Sequence, residues 1–330
     1  MSSGTSSPLL IEPAELHRQL QSGDKPIILD ASWRMPNLKP PRDAWQEYKQ
    51  CRLPDARFWH VDNIATKATS GLVLPHMMPS RATFASACSK LGISPDSRVV
   101  VYDSYGMFTA PRTLFTFKAF GHDNISVLDG GLPRWQAEGY DVVRSDSDFD
   151  ARDAATHGLQ LSKALYGEAS EDGLKSMYAS YPEPTYDESF VRSYDQVVSN
   201  SERDMADPSA EVVLDARPSG RFHGTDPEPR PGLSSGHVPR SLSLPFSTLL
   251  SPPSSTSPPY QTLLPADELE KAFVRVLGSQ KAWEAVKRGE RGVFSTCGSG
   301  MTAAVIWLAL QVAGREANAG LYDEPIRKRR

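Results

Sequence analysis

The chain repeats itself, and the repeat limits what it can fold into. Asp30 of "ILDA" and Asp215 of "VLDA" stand 185 positions apart, and Pro54 of "RLPDA" and Pro239 of "HVPRS" are separated by the same 185. Thr109 of "MFTAPR" and Thr302 of "GMTAAV" are 193 apart, so by that point the second copy has gained a net eight residues. The Pro- and Ser-rich "SPPSSTSPP", from Ser251 to Pro259, reads as a surface insertion that contributes to the gain. A constant offset over this length means one folding unit used twice.

Each copy alternates short apolar runs with helical patterns. In the first, a polar helix around Glu15 to Leu20 is followed by "PIILDA", a turn, "ARFWHVD", a helix and "RVVVYD". In the second, "SFVRSYDQVVSN" leads to "EVVLDA", "HVPRSLSLPF", a helix near Leu269 to Leu277, and "GVFST" before a closing helix. Apolar strands interleaved with helices predict an α/β fold with mostly parallel sheets. The expected boundaries are a first domain over 8–148, a connection over 149–187 and a second domain over 188–330. The connection lacks a sustained helical or strand period.

The formal charge of -4 gives no basic excess, so nucleic acid is not an expected partner. No span approaches the roughly 20 apolar residues a membrane helix needs; Ala303 to Ala313 has the length of a buried core helix. The amino terminus "MSSGTSSPLLIEPAEL" shows neither a signal nor a transit peptide. Three cysteines suit a reducing compartment in which a special cysteine is catalytic rather than paired. A cytoplasmic location is expected, and a mitochondrial matrix would satisfy the same reasoning.

One of those cysteines sits in "GVFSTCGSGMTAAVIWLAL". "GVFST" is a buried-strand pattern and "TAAVIWLALQVAG" a helix ending at Gly314, so "CGSGM" is the strand-to-helix turn. Consecutive backbone N–H groups in such a turn, with the helix amino terminus, form a concave site for negative charge. Gly298 and Gly300 are expected to let the backbone wrap closely through positive φ. A thiol at the start of that cradle is expected to titrate below the free value of about 8.5, which makes Cys297 a nucleophile. The bland alternative is a small buried core residue, but a core cysteine has no need of two glycines within three positions. Cys51 and Cys88 have no glycine cradle. Phosphate-ester hydrolysis on a C-x5-R loop does not fit, because Ala303 stands six residues after Cys297 and Thr296 precedes it.

From about Leu9 to Asp323 the chain resembles the tandem rhodanese-domain sulfurtransferases, and "CGSGMTA" is similar to the active-site loop of the 3-mercaptopyruvate type. Thiosulfate-type relatives carry basic side chains after the cysteine, where this sequence has Gly298 and Ser299. The resemblance implies two rhodanese-like domains, with the nucleophile in the second copy only. The first copy is read as carrying Ser104, next to Asp103, at the position of Cys297. The implied reaction moves sulfur from 3-mercaptopyruvate to Cys297, leaving pyruvate and a persulfide that a thiol acceptor such as thioredoxin or glutathione, or cyanide, discharges. No organic cofactor or metal is implied, and the sequence has no metal-ligand cluster of Cys and His.

The donor carries a carboxylate and a ketone oxygen, for which the planar guanidinium of Arg is well suited. In "RFHGTDPEPRPG" both Arg221 and Arg230 match the family's substrate-binding segment; on spacing alone, a turn in which Arg pairs with Asp226 or Glu228 fits equally. The resemblance also implies a proton relay of Ser299, His76 and Asp62, in which Asp orients the imidazole and the imidazole polarises the hydroxyl. Read alone, His76 in "LPHMMP" is a turn histidine. Because His76 and Asp62 come from the first copy, the site is expected where the copies meet. Gly298, Gly300, Met301 and Thr302 complete the implied anion cradle. The family pattern continues past the last strand with Tyr-Asp-Gly-Ser-Trp and a further helix, whereas "LYDEPIRKRR" departs after Asp323, so a less stable second domain is expected. Thiosulfate:cyanide transfer and a catalytically weakened binding module remain as alternative readings.

Overall fold

A computed structural model describes residues 7–23, 25–66, 75–144, 181–229, 235–316 and 319–322. The chain divides into two compact units, and the division does not follow the midpoint of the sequence. Unit 1 is Met1–Thr66, Met78–Asp187 and Pro253–Thr262; unit 2 is Lys67–Met77, Glu188–Pro252 and Leu263–Arg330. Each half of the sequence thus lends a short segment to the unit built mainly by the other. Most of the connection expected over 149–187, and the sequence after Tyr322, lie outside the described residues.

In unit 1 the elements are β1 (Leu10–Ile11), α1 (Pro13–Leu20), β2 (Ile27–Asp30), α2 (Ala44–Gln50), β3 (Arg57–Phe58), α3 (Val61–Ile64), α4 (Arg81–Lys90), β4 (Val99–Tyr102), α5 (Ala110–Ala119), β5 (Ile125–Leu128) and α6 (Gly131–Ala137). The strands form one parallel sheet in the order β1-β5-β4-β2-β3. β4 reads VVVY and is buried at all four positions, as a parallel strand covered on both faces must be. Where only a turn is expected after β2, the chain forms α2, started by the Asp43 carboxylate accepting from the Gln46 N–H. Residues at the end of the expected connection pack on this unit: Tyr181 packs edge-on against Phe84, and its N–H donates to Ser89 Oγ.

Unit 2 contains α7 (Tyr194–Glu202), β6 (Val212–Asp215), α8 (Ser219–His223), β7 (Leu242–Ser243), α9 (Ala266–Leu277), α10 (Gln280–Lys287), β8 (Val293–Thr296), α11 (Ala303–Val312) and β9 (Gly320–Tyr322), with short 3-10 turns at Glu188–Phe190 and Phe246–Leu249. Its four strands are parallel in the order β7-β6-β8-β9. Helix α11, AAVIWLALQV, is buried from Ala303 to Leu310, so the helix behind the cysteine turn is a core element. Its apolar surface contributes roughly 25 cal/mol per Å² removed from water.

The two sheets share a register that corrects one alignment. Asp30 pairs with Tyr102 in unit 1, and Asp215 pairs with Thr296 in unit 2. The residue after each central strand is therefore equivalent, which places Asp103, not Ser104, at the position of Cys297. The turn that follows is one residue longer in unit 1, running over 103–109 against 297–302 before the helix starts.

Candidate active site

The unit 1 turn already holds an anion, and it belongs to the protein. The Asp103 carboxylate, fully buried, accepts backbone N–H groups from Tyr105, Gly106, Phe108, Thr109 and Ala110 at 2.7–2.9 Å. Five convergent donors around one carboxylate show what a strand-to-helix turn of this kind provides: a ring of amides around negative charge.

In unit 2 the equivalent position is Cys297, at the carboxyl end of β8 and 3% exposed. Its sulfur lies 3.5 Å from the Ser299 N–H, and α11 begins six residues on, with its amino terminus at the turn. The two glycines serve different needs. Gly300 has φ +78, a region that side chains rarely tolerate. Gly298 does not take positive φ; it is small for want of space, since a Cβ there would stand 3.2 Å from Arg221 Nη2. The expectation of positive φ thus holds at Gly300 alone. Met301 and Ser299 are buried in the turn, and Thr302 is the residue from which α11 starts.

His76 belongs to unit 2 through the segment 67–77. It is 2% exposed, adopts φ +62, and places Nδ1 2.9 Å from Ser299 Oγ. A buried non-glycine residue in left-handed backbone is costly and persists only where its surroundings hold it. Asp62 lies in α3 of unit 1, where its carboxylate accepts from Trp33 Nε1 at 2.8 Å. Arg230 lies outside the described residues.

Arg221 on α8 is not an isolated cation. Its Nη2 and Nε donate to Glu228 at 2.6 and 3.3 Å, and the same carboxylate accepts from Arg217 Nη1 at 2.9 Å. The pairing with Glu228 that the spacing allowed is therefore present, and among the described residues Arg221 Nη1 has no hydrogen-bond partner. Arg217 also grips Asp215 through Nε and Nη2 and donates to the Gly236 carbonyl, with its side chain 3% exposed. Burial pulls its pKa down, but the hydrogen bond and charge of Asp215 and the charge of Glu228, with a smaller contribution from the neighbouring Cys297, outweigh that and leave it above the ordinary arginine value. A permanently charged guanidinium thus acts on the cysteine.

Arg217 and its carboxylates escape the reading of motifs because nothing in "LDARPSG" looks catalytic. The signal was positional: Arg217 follows β6 directly, β6 and β8 are parallel neighbours, and parallel neighbours put their carboxyl ends at the same edge. What the turn can do chemically follows from these contacts. It presents a sulfur that takes the Ser299 N–H, a hydroxyl hydrogen-bonded to an imidazole, and a guanidinium whose Nη1 donates to none of the described residues.

Comparison with known proteins agrees with this architecture. The rhodanese-like domain family matches residues 12–138. The thiosulfate/3-mercaptopyruvate sulfurtransferase 1, mitochondrial, of Arabidopsis thaliana is 37% identical over 93% of this chain and 72% of its own length. The thiosulfate/3-mercaptopyruvate sulfurtransferase 2 of the same plant is 38% identical over 93% of this chain and 80% of its own. The crystal structure of SseA, a 3-mercaptopyruvate sulfotransferase from Escherichia coli, superposes with a TM-score of 0.70 at 25% identity, covering 98% of this chain and all of that one. With two rhodanese-like α/β units and relatives of this closeness along nearly its full length, the chain belongs to the rhodanese-domain sulfurtransferases.

Proposed function

We propose that this enzyme takes sulfur from 3-mercaptopyruvate onto Cys297 and passes it to a thiol acceptor. The supporting observation is the turn itself: Cys297 opens a turn that Gly300 shapes through positive φ, its sulfur takes the Ser299 N–H, Arg217 is buried close enough to act on it, and no basic side chain stands at 298 or 299. A thiosulfate dianion would gain from cations on the turn, whereas a thiol-bearing carboxylate needs its cation at the other end of the molecule, where Arg221 Nη1 and Arg230 would serve.

The step balances without a cofactor. The Cys297 thiolate attacks the donor sulfur, a sulfur–sulfur bond forms and the donor carbon–sulfur bond breaks. Its electron pair passes to the enolate of pyruvate, and the thiol proton is carried through Ser299 Oγ and His76 to the methyl carbon. The persulfide left on Cys297 is anionic, and the amide ring stabilises it as the equivalent ring in unit 1 holds the Asp103 carboxylate. An acceptor thiolate then attacks the outer sulfur and restores Cys297.

Intact mass after mixing with 3-mercaptopyruvate tests the reading. The native chain is expected to gain one sulfur atom and Cys297→Ser none. Equal gain in both, or turnover with thiosulfate exceeding that with mercaptopyruvate, rejects it.

A further inference from the structure

Unit 1 carries an arginine–glutamate–arginine arrangement like that of the unit 2 site, without the nucleophile. In unit 2, Glu228 bridges the buried Arg217 and the more exposed Arg221. In unit 1, Glu47 on α2 bridges Arg34, whose side chain is 3% exposed, and Arg42, at 47%. Each arrangement stands beside the aspartate that ends the first central strand, Asp30 or Asp215. The glutamate comes from a different type of segment in each unit, so the shared feature is the chemistry rather than an inherited residue.

The unit 1 arrangement borders a cavity of about 410 Å³, whose lining also includes Ser104, Cys51 and Arg144. Arg34 Nε and Nη2 are committed to Glu47, and Nη2 also to Ser104 Oγ, while Nη1 is buried with no partner among the described residues. The guanidinium also lies over the Tyr105 ring, 4.1 Å from its centroid, which holds it in place at the cavity wall. Arg144 is exposed, and its charge reaches the Cys51 thiol, which burial pushes up and Arg144 pulls back. With Glu47 and Asp30 both ionised, three arginines still leave the lining one positive charge in excess.

We propose that this cavity is a second binding site, for a small carboxylate, held by Arg34, Arg42 and Arg144 and left unconverted. The choice of a carboxylate rests on the reading of Arg221 as a carboxylate holder in unit 2. Conversion is excluded because the ring of amides that would stabilise a persulfide is filled by Asp103. The cavity is large enough for a three- or four-carbon acid, and planar guanidinium donors suit a planar carboxylate.

Cys51 reports on occupancy, since its sulfur lies in the lining and accepts from Gln136 Nε2 at 3.3 Å. In the full chain, iodoacetamide labelling of Cys51 is followed peptide by peptide in pyruvate, sulfate or chloride at equal ionic strength. Cys88, fully buried, serves as the monitor of unfolding. A bound ligand at ten times its dissociation constant is expected to slow labelling about tenfold, by simple competition between the bound and open forms. Pyruvate should show this saturably, and Arg42→Gln combined with Arg144→Gln should abolish it while Cys88 stays unlabelled. Arg221→Gln should leave it intact, which separates this cavity from unit 2. Equal labelling in pyruvate and chloride overturns the proposal, as does protection that survives the double variant. Protection by sulfate alone overturns the carboxylate. Failure of the function reading shows elsewhere, as no sulfur gained by Cys297, and does not alter the labelling of Cys51.

Discussion

Asp103 is the residue on which the comparison of the two units turns. Three of the N–H groups it accepts, from Gly106, Thr109 and Ala110, are buried, and leaving a buried donor unsatisfied costs about 1–3 kcal/mol. Asp103→Asn keeps the shape but replaces one acceptor oxygen by an NH₂ group facing N–H donors. We expect at least about 3 kcal/mol of lost stability, checked by urea unfolding at pH 7, with the residual sulfur-loading chemistry still confined to Cys297. A midpoint within error of the native chain would mean that the ring tolerates an amide. At this scale the sequence was legible where chemistry and spacing coincide: a cysteine between glycines marks a turn, and Gly300 does take positive φ. It was not legible where one residue of loop length intervenes. Counting back from Thr109 and Thr302 lands on Ser104, and only the strand pairing moves the equivalence to Asp103. Arg217 was missed for a related reason, since its importance arises from a neighbouring strand rather than from its own sequence surroundings.

Strand β2 carries its aspartate into the core, between β3 and β4. Burial pushes the Asp30 carboxyl up to about 6, against hydrogen bonds from Ser32 and Tyr102 that pull it down, and the charge of Asp103 adds to the rise. A folded pKa above the unfolded value of 3.8 means that the fold binds the proton more tightly. Its stabilising contribution is complete below about 4 and is lost as pH rises through about 6, a difference of about 3 kcal/mol for a two-unit shift. Asp30→Asn removes this titration. From pH 7 down to 4, native stability is therefore expected to rise relative to the variant, as measured by denaturant midpoints across that range; parallel curves would contradict the burial argument. The four-residue strands β2, β4, β6 and β8 were readable because continuous apolar runs signal parallel strands. The two-residue strands β3 and β7 fall inside the apolar segments "ARFWHVD" and "HVPRSLSLPF", whereas β1 was not readable, since two residues carry no period. Helix α2 was missed because its AWQEYKQ has too little apolar periodicity over seven residues, and its start depends on the Asp43 cap.

Duplication predicts two units, one per half, and the two sheets follow that plan: β1–β5 come from the first half and β6–β9 from the second. The exchange of Lys67–Met77 and Pro253–Thr262 does not follow from it, because the repeat shows which residues correspond and not which unit a connecting segment joins. That exchange has a functional consequence. The second half alone supplies Cys297, Ser299, Arg217 and Arg221, but the imidazole hydrogen-bonded to Ser299 comes from residue 76. A positioned acid–base group contributes roughly 10²–10⁴-fold to a proton-transfer step. A fragment of residues 188–330 is therefore expected to acquire sulfur from mercaptopyruvate at least about 10²-fold more slowly than the full chain. His76→Ala in the full chain should slow it comparably, and His76→Asn, which tolerates the left-handed backbone, should fold as well as the native chain while remaining slow. Stopped reactions resolved by intact mass give both rates together with the melting temperature of each variant. If His76→Asn folds normally and loads Cys297 at the native rate, residue 76 supports the turn without handling a proton, and the segment exchange serves the fold rather than the chemistry.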